Sequence, residues 1–238
     1  MAFQKSERQL AIENTWLNTD KSILCGAVAG SGKTTTLLGL LELMNKRTLF
    51  LAFNKTIQEE IQNRIDEKGI TWAKAMTMHS LGLTAIRKVV KTTITINGNK
   101  NYLLSKDFFK KYKKSFKGVP YEEQLTLGYA LSDLNDASRM FLTNDLEELI
   151  DHLENMDKCS VWFLDPELET YWERYMEIRE DYYNYLPKRE LIIDFADMLY
   201  LPVVKDLPIP VAPKLLMLDE VQDFNLCQHA IIDKIMAQ

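Results

Sequence analysis

Two glycines, a lysine and a threonine stand together in Gly30-Ser31-Gly32-Lys33-Thr34, directly after an apolar run, Ile23 to Val28. A helical pattern opens at Lys33 and runs to about Met44. Strand, glycine loop and helix in that order make a cradle for phosphate, because the glycines let successive N–H groups point at one anion from the positive end of a helix dipole. The stretch from Ala27 to Thr34 fits the G-x4-G-K-[ST] pattern except that Ala27 replaces the first glycine. Ala29, Gly30, Ser31, Gly32, Lys33, Thr34 and Thr35 are therefore expected to line a triphosphate. Lys33 would reach the β/γ oxygens, and the Thr34 hydroxyl would hold Mg2+. The expected cofactors are ATP and Mg2+.

A second group of reactive side chains ends another apolar run, Leu215-Leu216-Met217-Leu218-Asp219-Glu220-Val221-Gln222-Asp223. One carboxylate just past a buried strand can hold Mg2+, and the next can orient and deprotonate an attacking water. Asp219 takes the first role and Glu220 the second. An acidic pair after a hydrophobic run is by itself also a common helix start, so the coupling to the glycine loop carries the reading.

The elements needed to position these groups can be read around them. Residues 6 to 17 predict a helix with Ser6 as N-cap. Ile23 to Val28 predicts a buried strand, Thr48 to Phe53 a second, and Thr71 to Met78 a third. Helices are expected through Ile57, Ile61 and Ile65 and from His79 to Val90. This βαβα order means a parallel sheet flanked by helices, the α/β class. Thr92 to Leu104 alternates β-branched and polar residues around Asn97-Gly98, a hairpin signal. From about 105 to 186 the pattern is helical, first lysine-rich and then aromatic. Residues 91–187 are accordingly expected to form a mainly helical inserted subdomain, with 1–90 and 188–238 as the ATP-binding domain. Pro202, Pro208, Pro210 and Pro213 punctuate a loop before the strand Lys214 to Leu218, and a last helix runs through Ile231, Ile232 and Ile235.

The chain has 238 residues and a formal net charge of −5, which argues against a protein wrapped wholesale around nucleic acid. A local basic run, Lys106, Lys110, Lys111, Lys113, Lys114 and Lys117, leaves room for a polyanion-facing patch, with a solvated helix face as the plainer reading. Cys25, Cys159 and Cys227 have no metal-binding spacing and fit a reducing compartment; Cys25 and Cys227 are expected to be structural. No apolar stretch approaches the roughly 20 residues that span a bilayer, so no membrane association and a cytoplasmic location are expected.

Several dispersed motifs together resemble the UvrD/Rep-like superfamily 1 DNA helicases. Gln9, in Glu7-Arg8-Gln9-Leu10-Ala11, sits where that family's Q motif reads adenine, and the family's P-loop also begins with alanine. Leu51-Ala52-Phe53-Asn54-Lys55 is similar to motif Ia and Thr77-Met78-His79-Ser80 to motif Ib. Ile193-Asp194-Phe195-Ala196-Asp197-Met198-Leu199 looks like the stretch preceding motif II, and Asp219-Glu220-Val221-Gln222-Asp223 resembles the DExQD form of motif II itself. The resemblance implies a RecA-like P-loop NTPase domain (1A), with residues 91–187 in the place of the inserted 1B subdomain. It implies a catalytic set of Lys33, Glu220 and Gln222, with single-stranded DNA met by Phe53, Asn54, Thr77 and His79.

For Phe53 a plain core position is the alternative, and for His79 a capping or packing role. Asp194 and Asp197 read equally as helix caps, and the aromatic cluster from Tyr171 to Tyr185 as packing. Only Phe224 to Gln238 follow motif II, so nothing matches motifs III to VI. The expectation is an N-terminal motor domain, truncated before motif III, that a second RecA-like domain would complete. The alternatives are a stand-alone nucleotide-binding regulator or split-helicase subunit, and a small P-loop kinase.

Overall fold

The computed structural model describes residues 5–19, 21–28, 30–43, 45–184 and 190–238. They form two compact units, one of residues 1–78 with 212–223, the other of 79–211 with 224–238.

In the first unit the chain runs through α1 (Glu7–Leu17), α2 (Lys33–Leu43), β1 (Thr48–Ala52), α3 (Lys55–Glu67) and β2 (Ala73–Thr77). Ser6 caps α1 in a reciprocal box with Gln9, which satisfies two N–H groups that a helix start leaves open. β1 is the central strand of a parallel sheet. It pairs with β2 in the register Thr48↔Ala73 to Ala52↔Thr77. Its other edge pairs with a strand that returns late in the chain, Leu215–Leu218, from Thr48↔Leu215 to Leu51↔Leu218. All five residues of β1 are buried, as a strand with helices to cover its faces must be. Leu38, Leu40 and Leu41 of α2 and Ile61 and Ile65 of α3 pack with Phe50, Ala52, Ala75 and Met217 into one core. The amides of Gln58 and Gln62 in α3 bond to the carbonyl and N–H of Ala75 and so occupy backbone groups that edge strand β2 turns away from β1.

Ile23 to Val28, expected as a buried strand, has no strand pairing. Leu24 is 84% and Val28 80% exposed. Both flanks of β1 are taken by its neighbours, and a six-residue run with Gly26 near its middle has little hold on a remaining edge. Cys25 is exposed for the same reason, so the structural role expected for it is not seen; Cys227 is buried.

The second unit begins with α4 (Met78–Val89), whose first residue still belongs to the first, and continues with β3 (Thr93–Ile96), α5 (Lys100–Lys111), α6 (Tyr121–Phe141), α7 (Leu146–Asn155) and α8 (Leu168–Tyr183). Then follow β4 (Glu190–Ile193) and α9 (Phe195–Val204), while β5 is the strand Leu215–Leu218 of the first unit and α10 (Leu226–Met236) closes the chain. The hairpin expected over Thr92 to Leu104 does not form. β3 pairs in parallel with β4, and Asn97 turns the chain into α5, its side chain accepting from Asn99 N–H and its carbonyl from Lys100 N–H. Pro202 lies inside α9 and not in a loop. Its ring removes the N–H that would bond Met198, and Gly82 of α4 packs against that carbonyl, where a Cβ would stand 1.9 Å from the oxygen.

Leu104, Phe108, Leu131, Leu134, Leu149, Leu168, Trp172 and Tyr175 share the helical core, so the aromatic cluster of α8 is packing; Tyr185 lies outside the described residues. The six lysines of the basic run are all exposed.

Candidate nucleotide site

At the C-terminal rim of the parallel sheet the first unit gathers the ends of three strands. Asp219 and Glu220 follow β5, Phe53 and Asn54 follow β1, and Thr77 ends β2. Side chains placed there converge because parallel strands end on one side.

Across the rim stands the start of α2. Gly30 and Gly32 have φ of 73° and 83°, the left-handed conformation that only glycine adopts without strain. Ala29 lies outside the described residues. Ser31 and Thr35 are exposed, and Lys33 and Thr34 half-buried. The Lys33 ammonium straddles the Glu220 carboxylate, with Nζ 3.0 Å from Oε1 and 3.1 Å from Oε2. One residue on, the Thr34 hydroxyl donates to Asp219 Oδ2 at 3.3 Å. Asp219 is 5% exposed, and its backbone N–H reaches Leu51 O on β1. A hydroxyl and a carboxylate oxygen meeting beside a phosphate cradle are the hard donors Mg2+ takes, a cation that draws its other ligands from phosphate and water. The donor set therefore fits Mg2+ bound together with a triphosphate. Among the described residues no cluster of three or more His, Cys, Asp or Glu could hold a metal without such help.

Glu220 is held by backbone as well as by partners. Its φ is 53°, a left-handed conformation that costs a non-glycine residue about 1–2 kcal/mol. Such outliers gather at functional sites. Gln222 Nε2 donates to Glu220 Oε2 at 2.6 Å. That bond, and then the one from Lys33, hold the Glu220 carboxyl below its ordinary pKa. At neutral pH it is a carboxylate, the form that can accept a proton.

Gln9 lies on the loop side of the cradle. Its Nε2 donates to Thr36 Oγ1 at 3.0 Å, and a Cβ at Gly32 would touch the same nitrogen at 3.5 Å. Thr36 was not singled out by its residue type. The Ser6-x-x-Gln9 spacing of a capping box was the signal that could have shown Gln9 to be fixed in place.

Of the residues expected to meet DNA, Phe53, Asn54 and Thr77 stand at the ends of the paired strands β1 and β2. Phe53 is 47% exposed, which removes the core alternative for it. The Asn54 side chain caps α3 by accepting from Ile57 N–H. Thr77 is directly opposite Ala52 in the sheet register. His79 belongs to the second unit, where its ring packs edge-on to Phe195 and burial lowers its pKa.

Asp194 and Asp197 are caps and more. Each accepts the other's backbone N–H at the start of α9. Arg139 Nη1 lies 2.7 Å from both Asp194 oxygens and 2.9 Å from Asp197 Oδ1. Lys100, fully buried, reaches Asp197 Oδ2 at 2.5 Å. Burial and the Asp197 charge raise the pKa of Asp194, whereas for Asp197 the effect of burial is outweighed by Lys100 and Arg139, which lower it.

The sequence model of the UvrD/REP helicase N-terminal domain matches residues 6–238 of this chain. Comparison with curated proteins finds no match.

Proposed function

The chain belongs to the UvrD/REP helicase N-terminal domain family, and from that premise we propose that it binds ATP with Mg2+ and hydrolyses it to drive movement on single-stranded DNA, completed by a second RecA-like domain. The observation that carries this reading is the pairing of Lys33 with Glu220 and of Thr34 with Asp219 across the sheet rim.

An incoming triphosphate gives Lys33 oxygens of higher charge than one carboxylate, so the ammonium moves from Glu220 to phosphate. Glu220, still oriented by Gln222, is then free to take a proton from the attacking water. Thr34 and Asp219 would hold Mg2+, which supplies charge neutralisation at the β- and γ-phosphates when bound. Gln9 reads adenine. Phe53 offers an exposed ring on which a base can stack without regard to sequence, and Asn54, Thr77 and His79 extend the DNA path. In family terms residues 1–90 and 188–238 form 1A and residues 91–187 form 1B. That division follows motif order, whereas the compact units part at Met78 and His79.

The test is ATP hydrolysis with Mg2+, measured with and without single-stranded DNA and with an added second RecA-like domain of this family. Turnover that rises with DNA supports the motor. Binding without turnover under every condition points to a nucleotide-binding regulator, and phosphoryl transfer to a small acceptor without any DNA effect points to a kinase.

A further inference from the structure

On their Watson–Crick edges adenine and guanine have opposite hydrogen-bond polarity, and a glutamine amide can match either by turning over. The selectivity of Gln9 therefore depends on what keeps its amide from flipping. In this chain the amide is one link in a chain of hydrogen bonds with a backbone group at each end. At one end Gly32 C=O can only accept, so the Thr36 hydroxyl donates to it, at 2.9 Å. With its proton committed, Thr36 Oγ1 accepts, and the group that donates to it is Gln9 Nε2, at 3.0 Å. At the other end Ser6 N–H can only donate, and it meets Gln9 Oε1 at 2.9 Å. Both ends demand the same orientation. Flipping the amide would set an NH2 against the Ser6 N–H and a carbonyl oxygen against a hydroxyl that has already given its proton.

We infer that Thr36, with the Ser6 backbone N–H, locks the Gln9 carboxamide in the one orientation that pairs with adenine and rejects guanine, and so sets the base selectivity of the site. In the locked state the second Nε2 hydrogen remains for a ring-nitrogen acceptor and the second Oε1 lone pair for an exocyclic amine, the pattern adenine shows at N1 and N6 on its Watson–Crick edge. Guanine there sets O6 against the amide oxygen and its N1–H against the amide NH2. The same Thr36 bonds the carbonyl of Gly32, a P-loop residue, so the base reader and the phosphate cradle share one fixed point. Thr36 is a positioning residue. This inference rests on the reading of Gln9 as the adenine contact.

The experiment measures dissociation constants of Mg·ATP and Mg·GTP by calorimetry, with inorganic tripolyphosphate as the base-free reference. Thr36→Val removes the hydroxyl and keeps the shape. It should lower the ATP-over-GTP preference by about tenfold, the size of one lost discriminating hydrogen bond. Thr36→Ser keeps the hydroxyl and should keep the preference. Ser6→Pro removes the donor at the other end, at a φ of −71° that suits the ring, and should also lose preference. An unchanged ratio in Thr36→Val, or equal losses in Thr36→Val and Thr36→Ser, overturns the lock. Gln9→Ala separates the two levels: if it alters the ratio and Thr36→Val does not, only the lock falls, whereas an unaltered ratio removes base reading by Gln9 and the lock with it.

Discussion

Replacing Arg139 with methionine should damage the second unit far more than losing one ion pair at a surface would. Arg139 is 2% exposed and reaches Asp194, Asp197 and the half-exposed Asp136. With it gone, Lys100 faces two buried carboxylates alone, and one negative charge has no counterpart. Removing one partner from a buried, hydrogen-bonded cluster costs about 3–5 kcal/mol, which for a unit of this size lowers the melting temperature by on the order of 10 °C. The loss should depend on pH. Burial already raises the pKa of Asp194, and without Arg139 it rises further, so the folded variant binds a proton that its unfolded chain does not. Between the ordinary carboxylate value and that raised value, stability grows as pH falls. The deficit of Arg139→Met measured by urea unfolding should therefore shrink from pH 8 to pH 5. Adding Asp194→Asn, which keeps a capping oxygen, should recover part of it at pH 8. A deficit below about 1 kcal/mol, within the range of exposed ion pairs, or one that does not change with pH, would refute the reasoning.

Gly82→Ala should destabilise by about 3 kcal/mol, the upper part of the range for overpacking, because the new Cβ would stand 1.9 Å from Met198 O, a backbone atom that cannot swing away. Thermal unfolding checks it, and a variant as stable as the parent contradicts the close approach of α4 and α9. Burial holds the pKa of His79 below its ordinary 6.5. The unfolded chain then takes up a proton before the folded one does, so the stability from this group is complete above 6.5 and is lost as pH falls from there towards the folded value. His79→Gln should flatten that part of a urea-midpoint profile between pH 7.5 and 5. A profile identical to the parent's would show that His79 does not titrate in this way.

Much of the first unit is legible in the residues because its signals are local. The burial of β1, the spacing of Ile57, Ile61 and Ile65 in α3 and the apolar run of β5 all follow from patterns within one element, and so does the pair of glycines at positive φ. What escapes is set by partners elsewhere. Ile23 to Val28 has the composition of a buried strand, yet strand status needs a free edge with matching register, and composition does not supply one. Asn97-Gly98 carries a hairpin signal, but Thr93 to Ile96 finds its partner at Glu190 to Ile193, and Asn97 spends its side chain and carbonyl on the start of α5. Pro202 reads as a loop residue because proline usually ends a helix, yet it lies inside α9, with Gly82 packed against the Met198 carbonyl that its missing N–H would have bonded. In the site, Lys33, Thr34, Asp219 and Glu220 were legible as types at a spacing. Thr36 was not, because a threonine in a helix shows its role only when Gln9 is seen against it.

The account stands most directly on nucleotide binding at the Lys33–Glu220 and Thr34–Asp219 pairs. Isothermal titration of the chain with ATP and Mg2+, set beside Lys33→Ala, tests it. The account predicts saturable binding by the parent that weakens without Mg2+ and is lost in the variant. No heat of binding in the parent, or equal affinity in Lys33→Ala, would contradict it.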